Sequence, residues 1–199
     1  MATTASATSS SLQIAEGAVV CDGAILSGDI IIGPETVVFP SARIQCLEGA
    51  GPIVIGRGCV VEEGASIISM DADGISIGNG NLFEVGCTVC AQQIGDFNVF
   101  QPKSMVGRDV VVSSGCAVGP TVVLDLSVTL SSTSSLFRTG GEPDEYKLKR
   151  ITRNLEMNRS RVKSYRSALS HQGKKYYIGK YNRVLPHTTT AANLSRSAT

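Results

Sequence analysis

Tryptophan is absent from these 199 residues, the other aromatics number five Phe and five Tyr, and there are two histidines, His171 and His187. A core built on large rings is thereby excluded, and so is most imidazole chemistry in the first 170 residues. No apolar run approaches the roughly 20 residues that a membrane-spanning helix needs, so membrane insertion is not expected. Met1–Ser11 is a Ser/Thr/Ala tract without a basic residue or an apolar centre. It resembles neither a secretory signal nor an Arg-rich transit peptide, and residues 1–11 are expected to form a disordered arm of a cytosolic protein. Positive charge is scarce before Arg138: four basic residues (Arg43, Arg57, Lys103, Arg108) stand against thirteen acidic ones, net −9. From Arg138 onward fourteen basic residues face four acidic ones, net +10, so the overall +1 conceals an acidic body and a basic tail.

What the chain does have is a period. Stepping by six from Ile94 gives Phe100, Val106, Val112, Val118, Leu124 and Leu130, all apolar. A helix repeats near 3.6 residues and a strand near 2, so this pattern fits neither. It is the mark of a hexapeptide β-helix, an all-β solenoid in which each hexad forms one side of a coiled prism. The register extends back through Ile14, Val20, Leu26, Ile32, Val38 and Ile44, then Ile55, Val61 and Ile67, then Ile77, Phe83 and Val89. Two insertions interrupt it, at Gln45–Val54 and Ile68–Ser76. Grouped in threes, the hexads give six coils starting at Ile14, Ile32, Ile55, Ile77, Ile94 and Val112, with Leu130 opening a partial seventh. Both insertions then leave the same edge of the prism.

Four residues beyond each apolar position the chain is small or short: Ala18, Thr36, Cys59, Asn81, Asn98, Cys116 in one column, and Ala24, Ala42, Ala65, Cys87, Ser104, Val122 in the next. Asn81 and Asn98 are neighbours there and are expected to form a short amide ladder. Gly33, Gly56, Gly78 and Gly95 share the position after an apolar residue, and are expected to supply unusual backbone angles at a corner. Of the six cysteines, Cys59, Cys87 and Cys116 fill the small inward slot and read as small hydrophobes; the pair in Cys87-Thr88-Val89-Cys90 has no second pair or nearby histidine to complete a metal site. Stacked Glu62 and Glu84 are the one carboxylate pair that could be nominated for acid–base work, and are expected to form a solvated edge.

After the repeats, Leu148, Ile151, Leu155, Asn158, Val162, Tyr165 and Leu169 recur at 3,4 spacing. This predicts an amphipathic helix over Glu145–Leu169, about 37 Å long, packed along one prism face with its basic flanks towards acidic coils. The division expected is a disordered arm (1–11), a β-helix (12–137), a basic helix and extension (138–187) and a disordered tail (188–199). Clustered arginines alone do not argue for nucleic acid, because the acidic prism would repel phosphates. The Lys174–Tyr181 segment, with three tyrosines, offers interface material.

Several runs carry a resemblance: Gly17-Ala18-Val19-Val20-Cys21, Gly51-Pro52-Ile53-Val54-Ile55-Gly56, Glu62-Glu63-Gly64-Ala65, Ile77-Gly78-Asn79-Gly80-Asn81-Leu82-Phe83-Glu84-Val85-Gly86-Cys87 and Gly107-Arg108-Asp109-Val110. Together, over about residues 12–125, they resemble the dynactin subunit 6 family, which also ends in a helix followed by a segment like Leu185-Pro186-His187. The resemblance implies a left-handed β-helix, the handedness of hexapeptide-repeat families. It further implies a non-catalytic structural subunit, without cofactor or metal, of the complex that activates cytoplasmic dynein for microtubule-based transport. Its partners would be the related β-helix subunit 5, the pointed-end actin-related protein and other dynactin subunits, at the cytoskeleton, with a contribution to cargo attachment. Many hexapeptide β-helices are instead acyltransferases or carbonic anhydrases, the latter homotrimers with three zinc-binding histidines; that alternative finds no histidine within the coils. In either case the terminal coil, Leu124–Leu136, is a strand edge expected to be sheltered by the chain's own tail or by a partner.

Overall fold

A computed structural model describes residues 11–125, 127–138, 146–150 and 154–168. The strands form three parallel stacks. The first face comprises β1 (Leu12–Ile14), β4 (Ile30–Ile32), β7 (Ile53–Ile55), β10 (Ile75–Ile77), β13 (Gln93–Ile94), β16 (Val110–Val112) and β19 (Val128–Leu130). The second comprises β2 (Val19–Val20), β5 (Val37–Val38), β8 (Val60–Val61), β11 (Leu82–Phe83), β14 (Val99–Phe100), β17 (Ala117–Val118), β20 (Ser134–Arg138) and finally β21 (Tyr146–Arg150). The third comprises β3 (Ile25–Ser27), β6 (Arg43–Cys46), β9 (Ser66–Ser69), β12 (Thr88–Val89), β15 (Met105–Val106) and β18 (Val123–Leu124). One helix follows, α1 (Asn154–Ala168).

The six-residue register is the one the sequence dictates. Ile14 pairs with Ile32, Ile32 with Ile55, Ile55 with Ile77, Ile77 with Ile94, Ile94 with Val112 and Val112 with Leu130. The second and third faces hold step in the same way, from Val20↔Val38 to Val118↔Leu136 and from Leu26↔Ile44 to Val106↔Leu124. These inward residues fill a thin aliphatic core, with Phe83 and Phe100 fully buried at its middle. The two insertions leave the same edge and lie against each other: Leu47 N–H donates to Ser69 O at 2.9 Å, and Gly51 N–H to Asp71 O at 2.8 Å.

The corner residues differ from expectation. Positive φ falls three positions after the apolar residue, at Gly17, Glu35, Gly58, Gly80, Phe97, Gly115 and Thr133 on one corner, and at Gly23, Ser41, Gly64, Gly86, Lys103 and Thr121 on the next. Gly33, Gly56, Gly78 and Gly95 do not take it. They are required instead because coil lies directly on coil: a Cβ on Gly56 would sit 2.6 Å from the carbonyl oxygen of Gly78, and one on Gly33 would sit 2.6 Å from that of Gly56.

A second correction concerns the tail. The residues expected to open the helix, Tyr146–Arg150, form β21, antiparallel to β20, with Leu136 opposite Leu148. The exposed edge of the last second-face strand wins this segment, since backbone N–H and C=O groups at a sheet edge need partners. The second-face end is therefore covered by the chain itself. The first and third faces end at β19 and β18, with no further strand among the described residues. The remaining α1 is 15 residues, about 22 Å long.

Candidate interaction surface

The three faces differ in what they turn outward. The first carries Gln13, Ile31, Val54, Ser76, Gln93, Val111 and Thr129; the third carries Ile25, Arg43, Ser66, Thr88, Met105 and Val123. On the second face the outward positions are apolar in five successive coils, Val19, Val37, Val60, Leu82 and Val99. Strands apolar on both sides are strands covered on both sides. Val60, Leu82 and Val99 are indeed buried, and with Phe39 they receive Val162 of α1. The helix lies on a prism face, as its apolar stripe predicts, and the doubly apolar pairs Val60-Val61, Leu82-Phe83 and Val99-Phe100 mark which one.

Polar contacts position α1. Asn158, the polar member of its apolar stripe, is buried and donates through Nδ2 to Phe97 O at 2.9 Å and Cys116 O at 3.1 Å. It thus satisfies two corner carbonyls on adjacent coils. Arg159 lies over the Phe97 ring, its Cζ 4.4 Å from the centroid, a favourable cation–π geometry. Arg161 forms an ion pair with Glu84. From Asn158 to Val162 the helix runs back along the prism, away from the last coil.

Glu62 and Glu84 are not a solvated edge. Each is only 4% exposed, because α1 crosses over the column they occupy. Glu62 Oε2 accepts the Val85 N–H at 2.8 Å, while Oε1 has no hydrogen-bond partner among the described residues. Burial raises the pKa of Glu84; Arg161 opposes that shift and the neighbouring Glu62 reinforces it. Two buried carboxylates on successive coils thus meet one cation of the helix, Arg161, which pairs with Glu84.

The inner columns are satisfied by a relay rather than by amide-to-amide bonds. Asn98 N–H donates to Asn81 Oδ1 at 2.8 Å and Cys116 N–H to Asn98 Oδ1 at 2.7 Å, while both amide groups donate to Gly95 O. Thr36 serves the same purpose two coils earlier, accepting from Cys59 N–H at 3.1 Å and donating to Gly56 O at 2.8 Å. All six cysteines are free thiols. Burial pushes Cys59 up to about 11, and pushes Cys87 further still, with Glu62 and Glu84 adding to the shift. Such thiols are poor nucleophiles, and no cluster of three metal-ligating side chains occurs among the described residues. His171, His187 and the Lys174–Tyr181 segment lie outside those residues.

Among the described residues no helix packs on the first and third faces. Met105 is 49% exposed and pairs with Val123, which is also exposed; Ile25, Ile31 and Val54 are exposed as well. At the insertion edge Leu47 and Met70 are exposed, beside an Asp71 that accepts from Gln92 Nε2 at 3.2 Å and lies 3.9 Å from Arg108. No described helix is long and apolar enough to cross a membrane.

No family model matches the chain. Among curated proteins it is 45% identical over 125 residues to dynactin subunit 6 of Xenopus tropicalis, covering 57% of this chain and 61% of that protein. It is 46% identical over 121 residues to dynactin subunit 6 of Danio rerio, covering 55% and 61%. The chain thus spans about three fifths of the length of these relatives. Among solved structures, a hexapeptide transferase family protein from Anaplasma phagocytophilum superposes with a TM-score of 0.59 at 13% identity, over 78% of this chain and 92% of that one. At that identity the likeness is one of fold, a hexapeptide-repeat solenoid.

Proposed function

We propose that this chain, similar to dynactin subunit 6 over more than half of its length, is a non-catalytic structural subunit of dynactin. The observation that carries the reading is the 45% identity over 125 residues to dynactin subunit 6 of Xenopus tropicalis. In this reading residues 12–137 are a rigid acidic body and residues 138–187 a basic extension. The partners are the related β-helix subunit 5, the pointed-end actin-related protein and other dynactin subunits. The protein works in the cytoplasm, at the cytoskeleton, supporting dynein-driven transport and cargo attachment.

Physical features support a scaffold. The prism is rigid, its coils are held by backbone pairing along their length, and two of its faces carry exposed apolar residues suited to a protein interface. Both histidines follow the repeats.

The test is purification of the tagged chain from its native cells at moderate salt, with identification of the co-purifying chains. Recovery of an actin-related protein together with a second hexapeptide β-helix chain is expected. Recovery of the chain alone as a trimer, with bound zinc and bicarbonate turnover, would overturn the reading in favour of an enzyme.

A further inference from the structure

We propose that α1 is a releasable strap, docked over the second face against the opposition of the Glu62–Glu84 carboxylate pair, whose neutralisation tightens it. The inference is independent of the assembly the chain enters. It begins with two carboxylates on adjacent coils, both more than nine-tenths buried, of which Glu84 pairs with a cation of the helix, Arg161. Glu62 Oε1 has no partner among the described residues, and a buried polar atom left unpaired costs free energy in the state that buries it. That state is the docked one: lifting α1 returns both carboxylates to water. Arg161 compensates only in part, since its own side chain is 45% exposed and therefore screened by solvent.

The remaining charges near the pair do not cancel it among the described residues. From the prism they are Glu63, next to Glu62, Lys103, whose Cγ would lie 3.7 Å from a Cβ on Gly86, and the Cys87 thiol, itself raised by both glutamates. Among the described side chains of the helix they are Glu156, Arg159 and Lys163, all exposed, with Arg159 engaged on Phe97. The net balance appears in Glu84, whose pKa stays above the ordinary value because burial, reinforced by Glu62, outweighs Arg161. A carboxyl that binds its proton more tightly when docked favours docking at low pH. That contribution fades as pH rises through the raised value. Acid therefore tightens the strap, the opposite of a simple salt bridge. What α1 covers gives its release a consequence: the row Phe39, Val60, Leu82 and Val99 would be open whenever the helix lifts.

The decisive measurement is amide hydrogen exchange of residues 154–168 in the full chain, corrected for intrinsic rates, between pH 5 and 8. In the wild type, protection of α1 is expected to rise as pH falls, while protection of the coils stays constant. Glu62→Gln keeps an acceptor for Val85 N–H and removes one charge. It should slow α1 exchange by about fivefold or more at pH 7.5 and flatten its pH dependence. Arg161→Gln should do the reverse, raising exchange and steepening the pH dependence. Wild-type protection that falls on acidification, or a Glu62→Gln variant whose helix exchanges as fast as or faster than wild type, would overturn the proposal. The wild-type pH series decides the matter even if either variant fails to fold.

Discussion

Phe83 and Phe100 stack in register on adjacent coils, ring centroids 4.9 Å apart and planes 8° from parallel. They are the largest fully buried side chains in a core otherwise made of aliphatic columns. Nothing beside them is large enough to fill the space that either would leave. Phe100→Ala is therefore expected to cost about 3–5 kcal/mol, and Phe100→Leu less than half of that. Urea unfolding should show both as shifts in midpoint at constant slope. Equal losses for the two variants would contradict a tightly packed centre.

The inner asparagine column makes a sharper comparison. Asn98 accepts the Cys116 N–H and donates to Gly95 O, and Thr36 likewise accepts a backbone N–H, that of Cys59, and donates to a glycine carbonyl, that of Gly56, both on the next coil. Asn98→Thr should thus retain a partner for the Cys116 N–H, whereas the isosteric Asn98→Val leaves it buried and unpaired. The valine variant is expected to be less stable than the threonine variant by about 1–3 kcal/mol. A valine variant as stable as the threonine one would show that the relay contributes little.

That relay also marks how far the sequence could be read. Every inward column, from Ile14↔Ile32 to Val106↔Leu124, follows from a period of six, because period and side-chain direction are both properties of the local backbone. The failures occur where a distant segment intervenes. Glu62 and Glu84 occupy an outward column that solvent normally reaches, yet both are buried, with Arg161 of α1 on Glu84. Tyr146–Arg150 fits a strand alternation as readily as a helical stripe, and the unpaired edge of β20 decides between them. Gly33, Gly56, Gly78 and Gly95 were legible as a column, but their purpose depends on a carbonyl one coil away. The covered face itself was within reach: its doubly apolar strands needed only to be compared with the other two faces.

Asn158 should control the docking of α1. Its amide satisfies Phe97 O and Cys116 O together, so Asn158→Ala removes two hydrogen bonds in one substitution. A loss of about 1–2 kcal/mol shifts the released population by about five- to thirtyfold. Tryptic cleavage after Arg161 and Lys163 reports this population when opening is fast relative to cleavage. Cleavage there is expected to accelerate by a similar factor, with cleavage after Arg57 and Arg108 in the coils unchanged. Unaltered cleavage in the helix would show that the apolar row around Val162 holds it without Asn158.

Two glycines two residues apart should respond in an order set by their geometry. Gly58 takes a φ of 66° at a corner where Glu35 and Phe97 stand in other coils, so Gly58→Asn should cost no more than about 1 kcal/mol. Gly56 has an ordinary φ, but its missing Cβ would lie 2.6 Å from Gly78 O, backbone that cannot swing aside. Gly56→Ala must push neighbouring coils apart, and a loss of about 1–3 kcal/mol is expected, in the range of overpacking. Thermal melting of the two variants gives the ranking. A Gly58→Asn protein that melts below Gly56→Ala would put the demand on backbone angle rather than on coil spacing.

The buried thiols predict an alkaline loss of stability with a definite sign. Cys87 has its pKa raised by burial and by Glu62 and Glu84, and an acid whose pKa is raised on folding stabilises the native state while it stays protonated. That contribution is complete below the unfolded value of 9.0, and it declines above this by about 1.4 kcal/mol per pH unit for each such thiol. Alanine fills the equivalent inward position at Ala42 and Ala65, so Cys87→Ala should fold with little loss at pH 7. Between pH 9 and 10.5 the unfolding free energy of the variant should fall less steeply than that of the wild type, by one thiol's share. Cys59, pushed up to about 11, continues to contribute in both proteins, so the slope is reduced rather than abolished. A thiol reagent at pH 8 should reach Cys46, which is half-buried, before Cys59 or Cys87. Parallel alkaline slopes for variant and wild type would mean that Cys87 ionises in the folded prism as readily as in the unfolded chain.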